Sequence, residues 1–134
     1  MNTKKLITAV KQGNLDAVKE LVSQLRTINL YDNDKNNALH IAIKKGRNDI
    51  VDFLIENRIN INAQNLRGET PLHIAAFVNN KYIVDLLVDK GANILIKDKF
   101  GVFASERTNY FAFRLRSKLR RNQTKEIKRR KEKK

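Results

Sequence analysis

The sequence predicts an all-α repeat chain, and three observations carry that prediction. Leu39, His40, Ile41 and Ala42 recur as Leu72, His73, Ile74 and Ala75, 33 positions later. Ile50, Val51, Leu54 and Asn60 recur as Ile83, Val84, Leu87 and Asn93 at the same interval. Around these blocks apolar residues fall at i, i+3 and i+4, the spacing that gathers them on one side of a helix. One period shared by so many positions marks copies of a single unit. The 134-residue chain is 41% hydrophobic, enough for a core, although 31% of it is charged.

The best copy runs from Asn65 to Asn93 and has Thr70, Pro71, Leu72, His73, Ile74 and Ala75 at its centre. A period of about 33 residues with T-P-L-H followed by small residues resembles an ankyrin repeat. The resemblance extends over roughly residues 1–120. It implies a helix-turn-helix and a β-turn per unit, units stacked as a solenoid, and a role in binding other proteins without catalysis.

The first unit, residues 1–30, places Leu6, Ile7, Ala9 and Val10 on one side of a short helix that Gly13 and Asn14 interrupt. Leu15, Val18, Leu21, Val22 and Leu25 make a second amphipathic helix. No turn-forming residues precede this unit, as suits an N-terminal cap with a polar outer face. In the second unit, 31–62, residues 29–37 are rich in Asn and Asp, which tolerate left-handed backbone and bond their own chain in turns. Asn37 and Ala38 stand where the third unit has Thr70 and Pro71, and Asn caps a helix well. Helices are predicted over 38–45 and 48–57, the first ending at Gly46. Arg58 takes the place of Gly91, and a left-handed backbone there costs roughly 1 kcal/mol.

The third unit, 63–95, has Gly68 in its turn, Thr70 as N-cap, Pro71 at the first helical position and Gly91 after the second helix. Asn79 replaces the inter-helix glycine, a mild change because Asn tolerates that conformation. The fourth unit, 96–120, begins in register with Asp98, Phe100 and Gly101 and then departs. Ser105 and Glu106 fall where Leu and His would be. Phe111, Leu115 and Leu119 leave one apolar stripe, the pattern of a C-terminal cap. Residues 121–134 hold one strong apolar residue and are expected to bury nothing, as a solvated tail or frayed helix.

Net charge is +14 and unevenly spread. Residues 1–95 hold 13 Lys and Arg against 10 Asp and Glu, whereas 96–134 hold 15 against 4. The absence of cysteine excludes disulfides and thiolate metal sites and suits a reducing compartment. Thr8, Lys11 and Gln12 break the first apolar stretch before it reaches signal-peptide length. A cytoplasmic protein without a membrane span is expected, with a nuclear address open in a eukaryotic cell. No phosphate loop, H-E-x-x-H or nucleophile elbow is present in the sequence. His40 and His73 occupy equivalent positions, where the resemblance implies bonds to Thr70 or nearby backbone rather than metal or acid–base work. The pairs Asp49 and Asp52, and Asp85 and Asp89, are expected to be solvated charges. No catalytic residue, metal site, cofactor or small-molecule substrate is expected.

In the architecture that the resemblance implies, binding positions are the turn tips and the exposed side of each first helix. Carried over by register, the second unit supplies Tyr31, Asn33, Asn36, Lys44 and Lys45. The third supplies Leu66, Arg67, Glu69, Phe77 and Val78, and the fourth Lys99, Phe100 and Tyr110. Several are apolar where a lone solenoid gains nothing by exposing them, and apolar anchors with a charged rim are how binding hot spots are built. The expected partner of a monomer is a protein with an acidic surface. Lys125, Lys128, Arg129, Arg130 and Lys131 support the alternative of nucleic acid or another anionic surface bound through the C-terminus. No aromatic residue follows Phe113, so base stacking by that end is not expected.

Overall fold

The computed structural model describes residues 2–107 and 113–132, the second segment with side chains from 120 onward. The order is α1 (Asn2–Gln12), α2 (Leu15–Ser23), α3 (Ala38–Lys44), α4 (Asn48–Glu56), α5 (Pro71–Phe77), α6 (Lys81–Asp89), a 3-10 turn (Ala104–Glu106) and α7 (Phe113–Glu132). Among the described residues the one β-type pairing is an isolated antiparallel bridge between Lys97 and Phe103. First helices α1, α3 and α5 stack in a row that the 3-10 turn continues, and α2 and α4 pack behind them. Leu6, Val10, Leu39, Ile43, Ile50, Leu54, Leu72, Ile83 and Leu87 are fully buried between the rows. Each such side chain contributes about 1.5–3 kcal/mol. This is an all-α solenoid, as predicted.

Within each unit the two helices are joined through one left-handed residue, Gly13, Gly46 or Asn79, with φ of 71°, 71° and 60°. The next residue then opens the second helix. Asn14 and Asn80 cap α2 and α6, accepting from Ala17 N at 3.0 Å and Ile83 N at 3.2 Å. Arg47, the corresponding residue before α4, makes no cap bond. It reaches instead to the previous unit, where Nη2 donates to the Lys11 carbonyl at 2.8 Å. A Cβ on Gly13 would lie 2.9 Å from this guanidinium, the movable end of a long side chain, so it is φ that calls for glycine here. Arg58 is left-handed too, with φ of 63°, as its register with Gly91 predicts.

The two histidines join neighbouring units. His40 Nε2 meets the Glu69 carbonyl at 2.8 Å and His73 Nε2 meets the Val102 carbonyl at 2.8 Å. A carbonyl only accepts, so Nε2 carries the proton and Nδ1 is left to accept. It does so from the N-cap backbone, Asn37 N at 3.1 Å and Thr70 N at 3.2 Å. The Thr70 hydroxyl, 2.8 Å from His73 Nδ1, can donate to the same lone pair. Each imidazole thus completes its own helix start with one nitrogen and pins the next unit with the other. Burial pushes the His40 pKa below its usual value, against the opposing pull of the Glu69 and Ala63 carbonyls and of the Glu69 and Asp32 charges.

Glu106 stands 33 residues after His73 and performs half of that task. Its Oε1 accepts from Phe103 N at 3.1 Å, as Nδ1 does in the earlier units. A carboxylate has no donor for a further unit, which fits a residue at the end of a stack.

The expectation that residues 121–134 bury nothing is corrected. Helix α7 runs to Glu132, and Gln123 is buried against the last units. Gln123 Oε1 accepts from Ser105 Oγ at 2.8 Å while its Nε2 donates to the Ile94 carbonyl at 3.1 Å. Ser105 in place of Leu and Gln123 on a basic helix therefore explain each other. An amide whose oxygen and nitrogen are both hydrogen-bonded can be buried, and counting apolar residues cannot find it. The stripe expected from Phe111, Leu115 and Leu119 lies outside the described side chains. No described helix is long and apolar enough to cross a membrane.

Candidate functional site

The turn tips are built from one device used three times. Asp32, Asn65 and Asp98, spaced by 33, each accept two backbone N–H groups on a single Oδ1. The donors are Asp34 and Asn36, then Arg67 and Glu69, then Phe100 and Val102, all at 2.8–3.0 Å. Each turn then carries a left-handed residue, Lys35, Gly68 or Gly101. Successive tips are bonded through backbone, Leu66 N to the Asp34 carbonyl at 2.9 Å and Lys99 N to the Arg67 carbonyl at 3.0 Å. Rigid tips hold their outward side chains at a fixed spacing.

Below the tips a second polar ladder runs through Asn29, which accepts from Asn60 N, and Asn62, which accepts from Asn93 N, both at 2.8 Å. Neither asparagine is picked out by the sequence reading, although their spacing of 33 is visible there.

Between the tips and the first helices lies a groove of roughly 370 Å³. Its walls include Asp34, Asn36, Ile41, Lys44, Leu66, Arg67, Glu69, Ile74, Phe77, Val78 and Arg107. Seven of the sequence candidates meet here: Asn36, Lys44, Leu66, Arg67, Glu69, Phe77 and Val78. Phe77 is 67% exposed and Leu66 56%. A neighbouring hollow holds Lys99 and Phe100 and shares Arg67, Glu69 and Arg107 with the groove, so the two are continuous. Phe100 is 70% exposed, with the Lys99 ammonium 5.1 Å from its ring centre.

Two candidates in the groove serve the framework. Asn65 Nδ2 donates to Asn36 Oδ1 at 2.9 Å and to Glu69 Oε1 at 3.1 Å, which ties those side chains into the turn network. Tyr31, Asn33 and Lys45 are exposed but do not line the groove. Tyr110 lies outside the described residues.

Arg107 is a contributor without a sequence signal. Its guanidinium pairs with the buried carboxylate of Asp98, Nε lying 3.0 Å from Oδ2. Burial alone would raise the Asp98 pKa; the Arg107 hydrogen bond, helped by Val102 N and Phe100 N, outweighs it and holds the carboxyl below its usual value. The pair braces the tip that presents Phe100. Ile41 and Ile74 also face the groove from within the repeated L-H-I-A block.

The sequence reading does not single out Tyr82, which is 52% exposed on α6. Its hydroxyl donates to Asp52 at 2.9 Å and so links α6 to α4, away from the groove. Asp52 is thus a hydrogen-bond acceptor rather than a merely solvated charge. Among the described residues no group of three or more His, Cys, Asp or Glu side chains is placed to hold a metal ion.

No curated protein matches the chain. The family model for ankyrin repeats, in three copies, matches residues 6–98. Its span covers the first three units, with the His40 bridge to Glu69 inside it, and stops at Asp98, short of Val102 in the fourth unit, which the His73 bridge reaches. With well over half of the chain matched, and the histidine bridges and turn-to-turn bonds in register with the match, this protein belongs to the ankyrin-repeat family.

Proposed function

We propose that this chain is a non-catalytic binding module that takes a protein partner on the surface formed by its turn tips and first helices. The family generally mediates protein–protein interaction and is typically non-catalytic. The observation that carries the proposal is Phe77 and Leu66, both more than half exposed, on the wall of one groove. Neither belongs to the buried core of the solenoid, whereas apolar anchors in a concave site are what a partner desolvates on binding. Val78 extends the apolar wall and Phe100 extends it past Arg67.

Lys44, Arg67 and Lys99 rim this surface and Lys45 lies just outside it, against Asp34 and Glu69, the latter held by Asn65. That balance favours a partner with an acidic surface around an apolar anchor. The basic C-terminal end adds long-range attraction and so raises the association rate more than the affinity. A reducing, cytoplasmic setting and a monomeric state complete the reading.

The test is retention of a partner by the immobilised full-length chain at high salt, beside a variant with Leu66→Ala and Phe77→Ala. If these side chains anchor the partner, the double variant weakens binding by roughly 30-fold or more, the equivalent of about 2 kcal/mol. Its melting temperature should stay put, since exposed substitutions are close to neutral for stability. Unchanged retention by a folded double variant would overturn the proposal.

A further inference from the structure

Helix α7 is a basic helix fixed to the solenoid along one side. Gln123, bonded to Ser105 and the Ile94 carbonyl, sets its axis, and Asn122 and Glu126 flank that contact half-buried. The rest of its described circumference is exposed. At 100° per residue Arg121, Lys125 and Lys128 share the side opposite Gln123, spanning about 10 Å along the axis. Arg120 and Lys131 share a flank about a quarter-turn away. Arg129 and Arg130 are turned toward Glu126, at 2.6 and 3.2 Å, which leaves the outward side to Arg121, Lys125 and Lys128, with Glu132 at its C-terminal end.

We infer that the outward side of α7 binds the phosphate backbone of duplex nucleic acid, independently of the concave surface. A helix with its side chains is about 10–12 Å across and a duplex major groove is about 12 Å wide. Cations on the outward side and on one flank of the helix can therefore reach phosphates that line that groove. No described side chain of α7 is aromatic, so a single strand would find nothing to stack on. The helix also lacks an apolar side for a membrane, Ile127 being its one large exposed apolar residue among those described. Asn122 and Gln123, the side chains that could read adenine, are on the docked side, and the outward cations are assigned to phosphates. Binding should therefore be independent of sequence.

The experiment is fluorescence polarisation of a short labelled duplex against the full-length chain, with salt raised from about 50 to about 200 mM. The triple variant Arg121→Gln, Lys125→Gln, Lys128→Gln should bind more weakly at low salt, with a log–log salt slope shallower by about 2.7. Over that salt range its affinity should then fall about 40-fold less than that of the parent chain. A second triple variant, Lys44→Gln, Lys45→Gln, Arg67→Gln, should bind duplex like the parent. It should lose affinity for the protein partner, which the α7 variant should keep, so failure of either surface is seen separately. Absence of saturable duplex binding by the parent chain at low salt would overturn the inference, as would an unchanged slope in the α7 variant. So would loss of duplex binding in the concave-face variant alone, or tighter binding to single strands or phosphatidylserine vesicles than to duplex.

Discussion

Gly68 and Gly101 occupy the same place in successive turns and have nearly the same backbone, φ of 73° and 75°. Their surroundings differ. A Cβ on Gly68 would lie 2.7 Å from Lys99 N and 3.1 Å from the Cα and carbonyl carbon of Asp98, all backbone atoms. A Cβ on Gly101 would meet nothing within 4 Å. Gly101→Ala thus has only a conformational cost, about 1–2 kcal/mol for the left-handed backbone. Against this stands about 0.4–1 kcal/mol from the stiffer unfolded chain, so the net loss is about 0.5–1 kcal/mol. Gly68→Ala has the same net cost and must also push the Lys99 turn away. That lengthens the 3.0 Å bond from Lys99 N to the Arg67 carbonyl, worth about 0.5–1.5 kcal/mol. Gly68→Ala should therefore lose about 1–2.5 kcal/mol, clearly more than its twin. Urea unfolding followed by helical circular dichroism on both variants reads the difference directly. Equal midpoints would refute the claim that close approach of adjacent turns, rather than φ alone, requires glycine at 68.

Arg58→Gly removes a side chain from a backbone at φ 63° and should raise stability by about 0.5–1 kcal/mol, seen as a higher melting temperature. A lower one would show that the arginine makes up for its strain. His40, held neutral by burial, has a folded pKa below the usual 6.5. Its contribution is therefore complete above that value and lost as pH falls from 6.5 toward the depressed folded pKa. His40→Gln should flatten stability in that window, and an equally steep profile in the variant would assign the dependence elsewhere. Gln123→Ala leaves the Ser105 hydroxyl and the Ile94 carbonyl without their partner, a loss of about 1–3 kcal/mol. It should speed tryptic cleavage in the 120–132 stretch; unchanged cleavage would mean that Gln123 is not what docks α7.

Where a structural role repeats with its residue type, the sequence carries it openly. The L-H-I-A blocks place the first helices, and registers with glycine foretell left-handed backbone at Arg58 and Asn79. The exposure of Leu66, Phe77 and Val78 is legible in the same way, because register alone says which turn and helix-end positions the next unit leaves uncovered. The remainder depends on roles that change hands. Glu106 supplies the acceptor that an imidazole supplies elsewhere, and Arg47 gives up a cap to reach the preceding unit. Ser105 and Gln123 replace apolar contact by a bonded amide. None of these leaves a mark in hydrophobic spacing: Glu106 acts through a polar bond to Phe103 N three residues back, and Arg47 and Ser105 depend on partners 36 and 18 residues away. Arg107 is hidden for the same reason: nothing in the chain says that its partner is Asp98 until the tip is folded.

The central claim is that partners meet the groove wall at Phe77, and site-specific photo-crosslinking tests it most directly. A benzoylphenylalanine introduced at position 77 is compared with one at position 82, where Tyr82 is another aromatic more than half exposed, on α6. The account predicts a partner crosslinked from position 77, not from 82, and lost on Leu66→Ala. Crosslinking from 82 alone, or from both with no effect of Leu66→Ala, would contradict it.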